Sequence, residues 1–153
     1  MTDATIRRFR PGDTEAILAL NERTLAAEAT DPEDVPGIAD LNRIEAEYID
    51  PGGEFLIAEI DGEIVAMGGL TVDGETAELF RMRVDPDYQR RGLASRLLDR
   101  LEAAARDRGA RLLVAETARR QRSATQFYPA NGFEERSRRS FGEYELIAFE
   151  KSL

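Results

Sequence analysis

A chain of 153 residues, 42% of them hydrophobic, is long enough to bury the core of one ordinary domain, so we expect a single domain over residues 1–153. The absence of cysteine and histidine excludes disulfides, thiol nucleophiles, the usual zinc sites and Ser-His-Asp catalysis, and we expect no metal. The net charge of −9 argues against non-specific nucleic-acid binding, and without a long apolar run or a signal-peptide pattern we expect a cytoplasmic protein with no membrane segment.

The N-terminal part of the chain predicts one strand followed by two helices. Residues 5–9 alternate in polarity and read as a strand. Asp13 or Thr14 is the N-cap candidate of a helix whose apolar positions are Ile17, Leu18, Leu20 and Leu25. The segment TDPEDVPG ends that helix, and a shorter helix is predicted at about residues 38–49, before DPGG.

Three strands are predicted next, in EFLIAEI, EIVAMGGLTV and TAELFRMRV. The dipeptides Asp61-Gly62 and Asp73-Gly74 connect them, and two-residue sequences of this kind suit tight hairpin turns. We therefore expect a three-stranded antiparallel meander.

The second half of the chain begins with its clearest helix, GLASRLLDRLEAAARDRG, in which leucines recur at helical spacing before Gly109. The strand RLLVAET and the short helix RSATQFYPANG follow. Pro129 must lie near the end of that helix because proline cannot donate an interior helical hydrogen bond. GFEERS and YELIAFEK predict two closing strands. This order indicates a mixed α+β fold with helices on both faces of a sheet.

The turn QRRGLA, between the strand TAELFRMRV and the clearest helix, is suited to bind an anion. Its NH groups lie at a helix start, where unpaired donors and the helix dipole attract negative charge. Gly92 lets an anion approach the backbone closely, and Arg90 and Arg91 add positive charge.

Charge is also uneven along the chain, with 19 acidic residues against 5 arginines in residues 1–80 and 16 basic against 11 acidic residues in 81–153. A basic second half fits a small anionic cofactor, although a solvated surface explains the same charges.

The stretch RVDPDYQRRGLASRLL resembles the acetyl-CoA-binding signature of the GNAT superfamily of N-acetyltransferases, in which a valine and a proline precede Gln/Arg-x-x-Gly-x-Gly/Ala. Ala94 stands in place of the commoner second glycine. About forty residues later, FYPANGF resembles the family's hydrophobic-Tyr-x-x-x-Gly-Phe motif. The resemblance covers most of the chain. It implies the GNAT acyl-CoA N-acyltransferase fold, with a central, mostly antiparallel sheet of about six to seven strands.

The resemblance also implies acetyl-CoA as co-substrate and a set of residues that bind it. The backbone of a splayed strand would bind the pantetheine arm, and the turn would bind the pyrophosphate. The first group is Met82, Arg83 and Val84, and the second is Gln89, Arg90, Arg91, Gly92, Leu93 and Ala94. Gln121 stands where many members have an asparagine that contacts the cofactor. Tyr128 matches the tyrosine that, in many members, protonates the departing thiolate.

Two glutamates are candidates for the catalytic base. A lysine-like amine has a pKa of about 10.4, so a proton must leave before or during attack on the thioester. Glu78 lies fourteen residues before Gly92, the spacing at which histone-acetylating members carry their base. Glu116 matches a glutamate of members that acetylate ribosomal-protein N-termini. Because the chain has no cysteine, an acyl-cysteine route is closed, and direct transfer in a ternary complex is implied, with backbone NH groups of the splayed strand meeting the oxyanion.

The resemblance implies a small-molecule or peptide amine as acceptor, and it leaves a homodimer open. A cationic amine is favoured by acidic residues around the first helix, although general surface acidity explains them equally well: Glu22, Glu28, Asp31, Glu33 and Asp34. The alternative function is a non-catalytic acyl-CoA-binding sensor or partner-binding domain of the same fold. A Rossmann-type dinucleotide site is disfavoured because the turn has one glycine and follows the fourth strand.

The surface composition suggests an environment rich in salt. Lys151 is the only lysine among 21 basic residues, and the chain is acidic overall. Such a halophilic-type acidic, lysine-poor surface is favoured in a salt-rich cytoplasm.

Overall fold

The computed structural model describes residues 4–27 and 38–153. Within them, seven strands and three α-helices follow one another as β1 (Thr5–Arg8), α1 (Thr14–Ala27), β2 (Glu54–Ile60), β3 (Glu63–Asp73), β4 (Thr76–Val84), α2 (Leu93–Asp107), β5 (Leu112–Ala118), α3 (Arg122–Ala130), β6 (Glu134–Phe141) and β7 (Tyr144–Ser152). Short 3-10 turns occupy Pro11–Asp13, Ile38–Asn42 and Pro86–Tyr88. No helix in the described residues is long and apolar enough to cross a membrane.

The seven strands form one sheet in the order β1-β2-β3-β4-β5-β7-β6. Every neighbouring pair is antiparallel except β4 and β5, which are parallel because α2 carries the chain back between them. The predicted meander is β2-β3-β4. The expected mixed α+β fold, with a mostly antiparallel sheet, is therefore confirmed.

Helices cover both faces of the sheet, as the sequence predicts. Because successive strand residues point to opposite faces, β2 contributes to two cores. Phe55 and Ile57 pack with Ile17 and Leu20 of α1. On the other face, Leu56 and Ala58 pack in a core with Leu97, Leu98 and Leu101 of α2 and with Tyr128 of α3. α1 thus lies on one face, and α2 and α3 lie on the other.

The hairpin turns fall at or next to the predicted dipeptides. Asp61 and Gly62 connect β2 to β3 with positive φ angles of 52° and 81°, as a tight two-residue turn requires. At the second turn Asp73 still pairs with Thr76, so the two connecting residues are Gly74 and Glu75. The prediction was therefore wrong by one residue at the second turn.

The single helix predicted at about residues 38–49 is not present as one helix. The chain forms the 3-10 turn Ile38–Asn42 and then a separate π-helical turn, Glu45–Ile49. The Tyr48 hydroxyl donates to Asp40 Oδ2 at 2.5 Å. A continuous helix would hold these two residues about 12 Å apart along its axis, so the break is what brings them together.

β4 contains a β-bulge two-thirds of the way along its length. Gly69 pairs with Phe80, whereas Met67 pairs with Arg83, so three steps on β4 match two on β3. Arg81 takes a φ of 58°, in the left-handed region that non-glycine residues rarely occupy.

The bulge changes which face the end of β4 presents. An extra residue shifts the alternation of side chains by one position. Met82 and Val84 therefore pack on the α2 face. Arg83 lies on the α1 face, where its Nε donates to Asn21 Oδ1 of α1 at 3.3 Å. Arg83 consequently shares a face with Phe80, which packs against the core of α1.

Candidate active site

A cleft opens in the sheet where β4 and β5 separate. The parallel pairing of the two strands ends at Leu79 and Ala115, although β4 continues to Val84 and β5 to Ala118. From residue 80 onwards, the edge of β4 that faces β5 has no strand partner within the described chain. Two cavities meet in this cleft, one on each face of the sheet.

The first, which we name the α2 cavity, lies between the end of β4, the start of α2 and α3. It measures about 480 Å³, and its lining includes Val84, Gln89, Gly92, Ala94, Phe127 and Ala130. Three further residues, Met82, Ala124 and Tyr128, line this cavity and the second one. Most of the residues that the signature predicts for the cofactor therefore surround one concave space.

The start of α2 offers backbone donors to the α2 cavity. The first bond at this end of the helix runs from Arg96 N to Gly92 O at 3.1 Å, which leaves the NH groups of Leu93, Ala94 and Ser95 without a helical acceptor. Gly92 is the N-cap, with a φ of 78°. A Cβ at Gly92 would have no neighbour within 4 Å, so the space beside this backbone is open. Donors and space together fit a phosphate-like anion.

The polar side chains of the turn lie on the surface. Gln89, Arg90 and Arg91 are all exposed. Arg91 lies over the ring of Tyr88 at 4.9 Å, and Gln89 Nε2 donates to Val84 O at 3.4 Å. Neither Arg90 nor Arg91 forms an ion pair with a carboxylate among the described residues, and Arg90 also lines the α2 cavity.

The second cavity, which we name the strand cavity, lies on the α1 face of the cleft. It measures about 470 Å³, and its lining includes Asp40, Glu78, Arg83, Glu116, Gln121 and Arg139. Burial raises the pKa of Glu78 above its ordinary value, and the negative charge of Glu116 adds to the rise. No described residue forms an ion pair with Glu78. The structure thus brings both candidate bases into one cavity but gives them different surroundings.

Glu116 is held by an arginine that the sequence analysis did not single out. Arg139 of β6 donates from Nε to Glu116 Oε2 at 2.9 Å and from Nη2 to Oε1 at 2.6 Å. β5 and β6 are separated by β7 in the sheet, so this pair bridges a whole strand. No local sequence pattern signals such a contact, because the two residues are 23 positions apart.

Tyr128 lies where the two cavities meet. Its side chain is buried, with aromatic contacts to Phe127, Phe133 and Phe149 at ring distances of 5.4, 5.1 and 5.5 Å. Burial raises the pKa of Tyr128 to about 12, and nearby Arg83 opposes that rise. The hydroxyl is therefore protonated at neutral pH.

The end of α3 is fixed against the start of α2. Pro129 lies in the last turn of α3, as predicted, and Asn131 follows as the C-cap. Asn131 Nδ2 donates to Phe127 O at 2.9 Å, and Ser95 Oγ donates to Asn131 Oδ1 at 3.3 Å. The FYPANGF motif thus holds Tyr128 in register with the turn at Gly92.

Two residues predicted for the cofactor line the strand cavity instead of the α2 cavity. Arg83 does so because of the bulge in β4. Gln121 is buried, and its Oε1 accepts from Thr117 Oγ1 at 2.5 Å and from Ala118 N at 3.2 Å. Its carbonyl oxygen therefore closes the turn after β5.

A linked group of side chains on the wall of the strand cavity also has no signal in the sequence. Arg81 donates from Nη2 to Asp40 Oδ1 at 2.7 Å, and Tyr48 donates to the same carboxylate. Burial raises the pKa of Tyr48 strongly, and the charge of Asp40 adds to the rise. In the described chain, no cluster of acidic side chains has the makeup of a metal site.

The acidic residues predicted to favour a cationic acceptor are only partly described. Glu22 is exposed on α1 and does not line the strand cavity. Glu28, Asp31, Glu33 and Asp34 lie outside the described residues. The acidic wall of the strand cavity comes instead from Asp40, Glu47, Glu78 and Glu116.

Comparison with known proteins identifies relatives over most of the chain. The family model described as "Acetyltransferase (GNAT) family" matches residues 17–133. An acetyltransferase of Pectobacterium atrosepticum is 38% identical over 107 residues, which are 68% of this chain and 69% of that protein.

Solved structures share the fold over nearly the whole chain. A GNAT-family acetyltransferase of Staphylococcus aureus superposes with a TM-score of 0.86 at 24% identity, covering 99% of both chains. An N-acetyltransferase of Thermoplasma acidophilum, solved in complex with coenzyme A, has a TM-score of 0.78 at 17% identity and also covers 99% of both chains. At these identities, the likeness shows the fold alone.

Proposed function

Since the chain belongs to the GNAT acetyltransferase family, we propose that it transfers the acetyl group of acetyl-CoA to a primary amine of a small molecule or peptide, with both substrates bound together. The position of Tyr128, at the junction of two cavities of similar size, is the main support. Two substrates that enter from opposite faces of the sheet would meet at this residue.

The α2 cavity fits acetyl-CoA. The free NH groups at the start of α2 suit the pyrophosphate, and the open space at Gly92 allows it to approach the backbone. The unpaired edge of β4 offers backbone groups to an amide-containing arm such as pantetheine. The Thermoplasma acidophilum N-acetyltransferase, solved with coenzyme A, supports the same ligand here. Acetyl-CoA supplies an acetyl group activated as a thioester.

Glu78 is the base in this proposal. Its raised pKa makes the carboxylate a better proton acceptor than an ordinary glutamate. It accepts the proton that the amine loses when its nitrogen bonds to the acetyl carbon. Glu116 is less suited because both of its oxygens already accept from Arg139.

Tyr128 is the acid. As the carbon–sulfur bond breaks, the tyrosine hydroxyl gives its proton to the departing thiolate. Glu78 then releases its proton to solvent, and the Tyr128 phenolate takes up a proton from solvent. The raised pKa of Tyr128 keeps the hydroxyl protonated until the bond breaks. Backbone NH groups on the free edge of β4 would stabilise the negative charge that develops on the carbonyl oxygen.

Initial-rate kinetics test direct transfer. With acetyl-CoA and an accepted amine both varied, double-reciprocal plots should intersect, and intact mass spectrometry after incubation with acetyl-CoA alone should show no acetylated protein. Parallel lines together with a stable acetyl-protein would contradict direct transfer. Because the chain has no cysteine, such an adduct would have to form on another nucleophile.

A further inference from the structure

Arg83 places a positive charge in the strand cavity without a carboxylate partner. Its guanidinium has two acceptors among the described residues, Asn21 Oδ1 at 3.3 Å and Met82 O at 3.2 Å, and both are neutral. Five N–H groups are available on an arginine, so several remain for a ligand. Burial lowers the pKa of Arg83 to about 10, and the charge of Arg81 adds to the fall, yet the group stays charged at neutral pH.

The neighbouring charges of the cavity are already paired. Asp40 lies near enough to favour the charged form of Arg83, but its carboxylate is bonded by Arg81 at 2.7 Å. Glu116 is bonded by Arg139 at 2.6 Å. Glu47, at the exposed edge, lies 3.8 Å from Arg43. Among the described lining residues, the charges left without an ion pair are therefore one negative and one positive, those of Glu78 and Arg83.

Both of these charges lie on β4, and the bulge puts them on the same face. Without the extra residue at Arg81, positions 78 and 83 would point to opposite faces of the sheet. A ligand in the strand cavity therefore faces an acceptor of protons at Glu78 and a rigid cation at Arg83. Arginine matches a carboxylate through two parallel hydrogen bonds, and such charge-assisted bonds are strong in a partly dry site.

We propose that Arg83 binds a carboxylate of the acceptor, so that the preferred substrate is an amino acid or another small amine that also carries a carboxylate. This inference rests on the proposed acetyl transfer for the role of the amine. It differs from the cationic acceptor that the acidic first-helix region favours, because three of the four acidic residues in the described lining of the strand cavity are paired with arginines.

Binding and turnover can be measured separately with matched ligands. The panel contains L-α-amino acids, β-alanine and γ-aminobutyrate, each with its carboxamide and its decarboxylated amine. Calorimetric titration in the presence of saturating CoA measures binding, and thiol release from acetyl-CoA measures turnover. The variants are Arg83→Gln, which removes the charge, and Asn21→Asp, which supplies an internal carboxylate to Arg83. Arg43→Gln is the control, since it removes a cation outside the cavity lining.

At least one acid should bind about tenfold or more tightly than its carboxamide, as expected for a charge-assisted pair. Arg83→Gln and Asn21→Asp should each remove that preference, whereas Arg43→Gln should keep it. The proposal is overturned if no acid binds better than its carboxamide, or if the preference survives both cavity variants. If Arg83→Gln fails to fold, the isosteric Asn21→Asp decides. Acid binding through Arg83 without thiol release would uphold the carboxylate site and contradict acetyl transfer.

Discussion

Glu78 and Glu116 differ in what surrounds their carboxylates. Glu116 is bonded through both oxygens to Arg139, whereas Glu78 is half-buried and unpaired among the described residues. Burial and the nearby negative charge both favour the neutral form of Glu78, so its carboxylate is lost as the pH falls through a raised pKa. The two glutamates are therefore separable by their effect on the pH dependence of the reaction.

Glu78→Gln should lower kcat/KM at neutral pH by about 10²- to 10⁴-fold, the usual contribution of a general base. It should also remove the acidic limb of the pH profile that Glu78 causes, leaving the limb set by the acceptor amine. The measurement is the rate of thiol release in a pH series from about 4 to about 11, which extends above the amine pKa of about 10.4.

Glu116→Gln is the matched control for that experiment. Loss of its charge removes a cause of the raised pKa of Glu78, so the acidic limb should move to lower pH while activity at neutral pH persists. An unchanged profile in Glu78→Gln, together with loss of activity in Glu116→Gln, would reverse the assignment of the base.

At the scale of elements, the start of α2 depends on one backbone conformation. Gly92 has a φ of 78°, and a side chain there would be strained and would enter the open space of the α2 cavity. Gly92→Val should therefore raise the KM for acetyl-CoA by at least about tenfold, because it combines backbone strain with loss of the space for a phosphate. Titration with CoA measures the same loss directly.

Gly109→Val separates strain from the loss of space. Gly109, just after the other end of α2, has a φ of 88° and also open surroundings, but it lies outside the α2 cavity. Gly109→Val should lower the stability of the fold by a similar amount and leave the KM for acetyl-CoA unchanged. Equal effects of the two glycine variants on KM would contradict a phosphate site at Gly92.

Arg90→Ala and Arg91→Ala should weaken CoA binding only about two- to threefold, since both side chains are exposed.

Sequence patterns predict elements where the cause is local. The leucine spacing of α2, the glycines of the hairpin turns and the QRRGLA turn all act within a few residues, and each appears in the structure close to its predicted place. The helix at 38–49 failed because Asp40 is drawn to Tyr48 and to Arg81, a residue 41 positions away. A contact between residues so far apart along the chain produces no periodic pattern in the local sequence.

The candidate site also combines residues that local patterns indicate with residues that they do not. Tyr128, Glu78 and the turn at Gly92 could be located from motifs, because each motif lies within a short stretch of the chain. The bulge at Arg81 could not, although Gly68-Gly69 on the opposite strand is a sign of close backbone approach. The sequence predicted a cofactor contact only for the backbone of Arg83. It gave no sign that the bulge directs the side chain of Arg83 into the strand cavity.

At the scale of the whole molecule, the net charge of −9 acts on stability. Self-repulsion destabilises the compact state of a strongly charged chain, and salt screens it. We expect the unfolding temperature to rise as KCl increases from about 0.1 M, where the screening length is about 10 Å, to about 1 M, where it is about 3 Å. Circular dichroism at a series of KCl concentrations measures this. An unfolding temperature that does not change with KCl would remove the hypothesis of a salt-rich source.

The two faces of the sheet offer the proposed transfer one cavity for each substrate. The α2 cavity and the strand cavity lie on opposite sides of the sheet, and they meet at Tyr128 because β4 and β5 separate after Leu79. A protein that only sensed acyl-CoA would need the first cavity and not the second. The second cavity therefore favours the proposed transfer over a sensor role.

The most direct measurement is thiol release from acetyl-CoA across a broad amine panel, with wild-type protein and Tyr128→Phe side by side. The wild type should release CoA with at least one amine, and Tyr128→Phe should lower kcat by about 10²- to 10⁴-fold, as expected for loss of a general acid, while CoA binding stays unchanged. Wild-type protein that binds acetyl-CoA but releases no thiol with any amine, or Tyr128→Phe protein with undiminished kcat, would contradict the proposed mechanism.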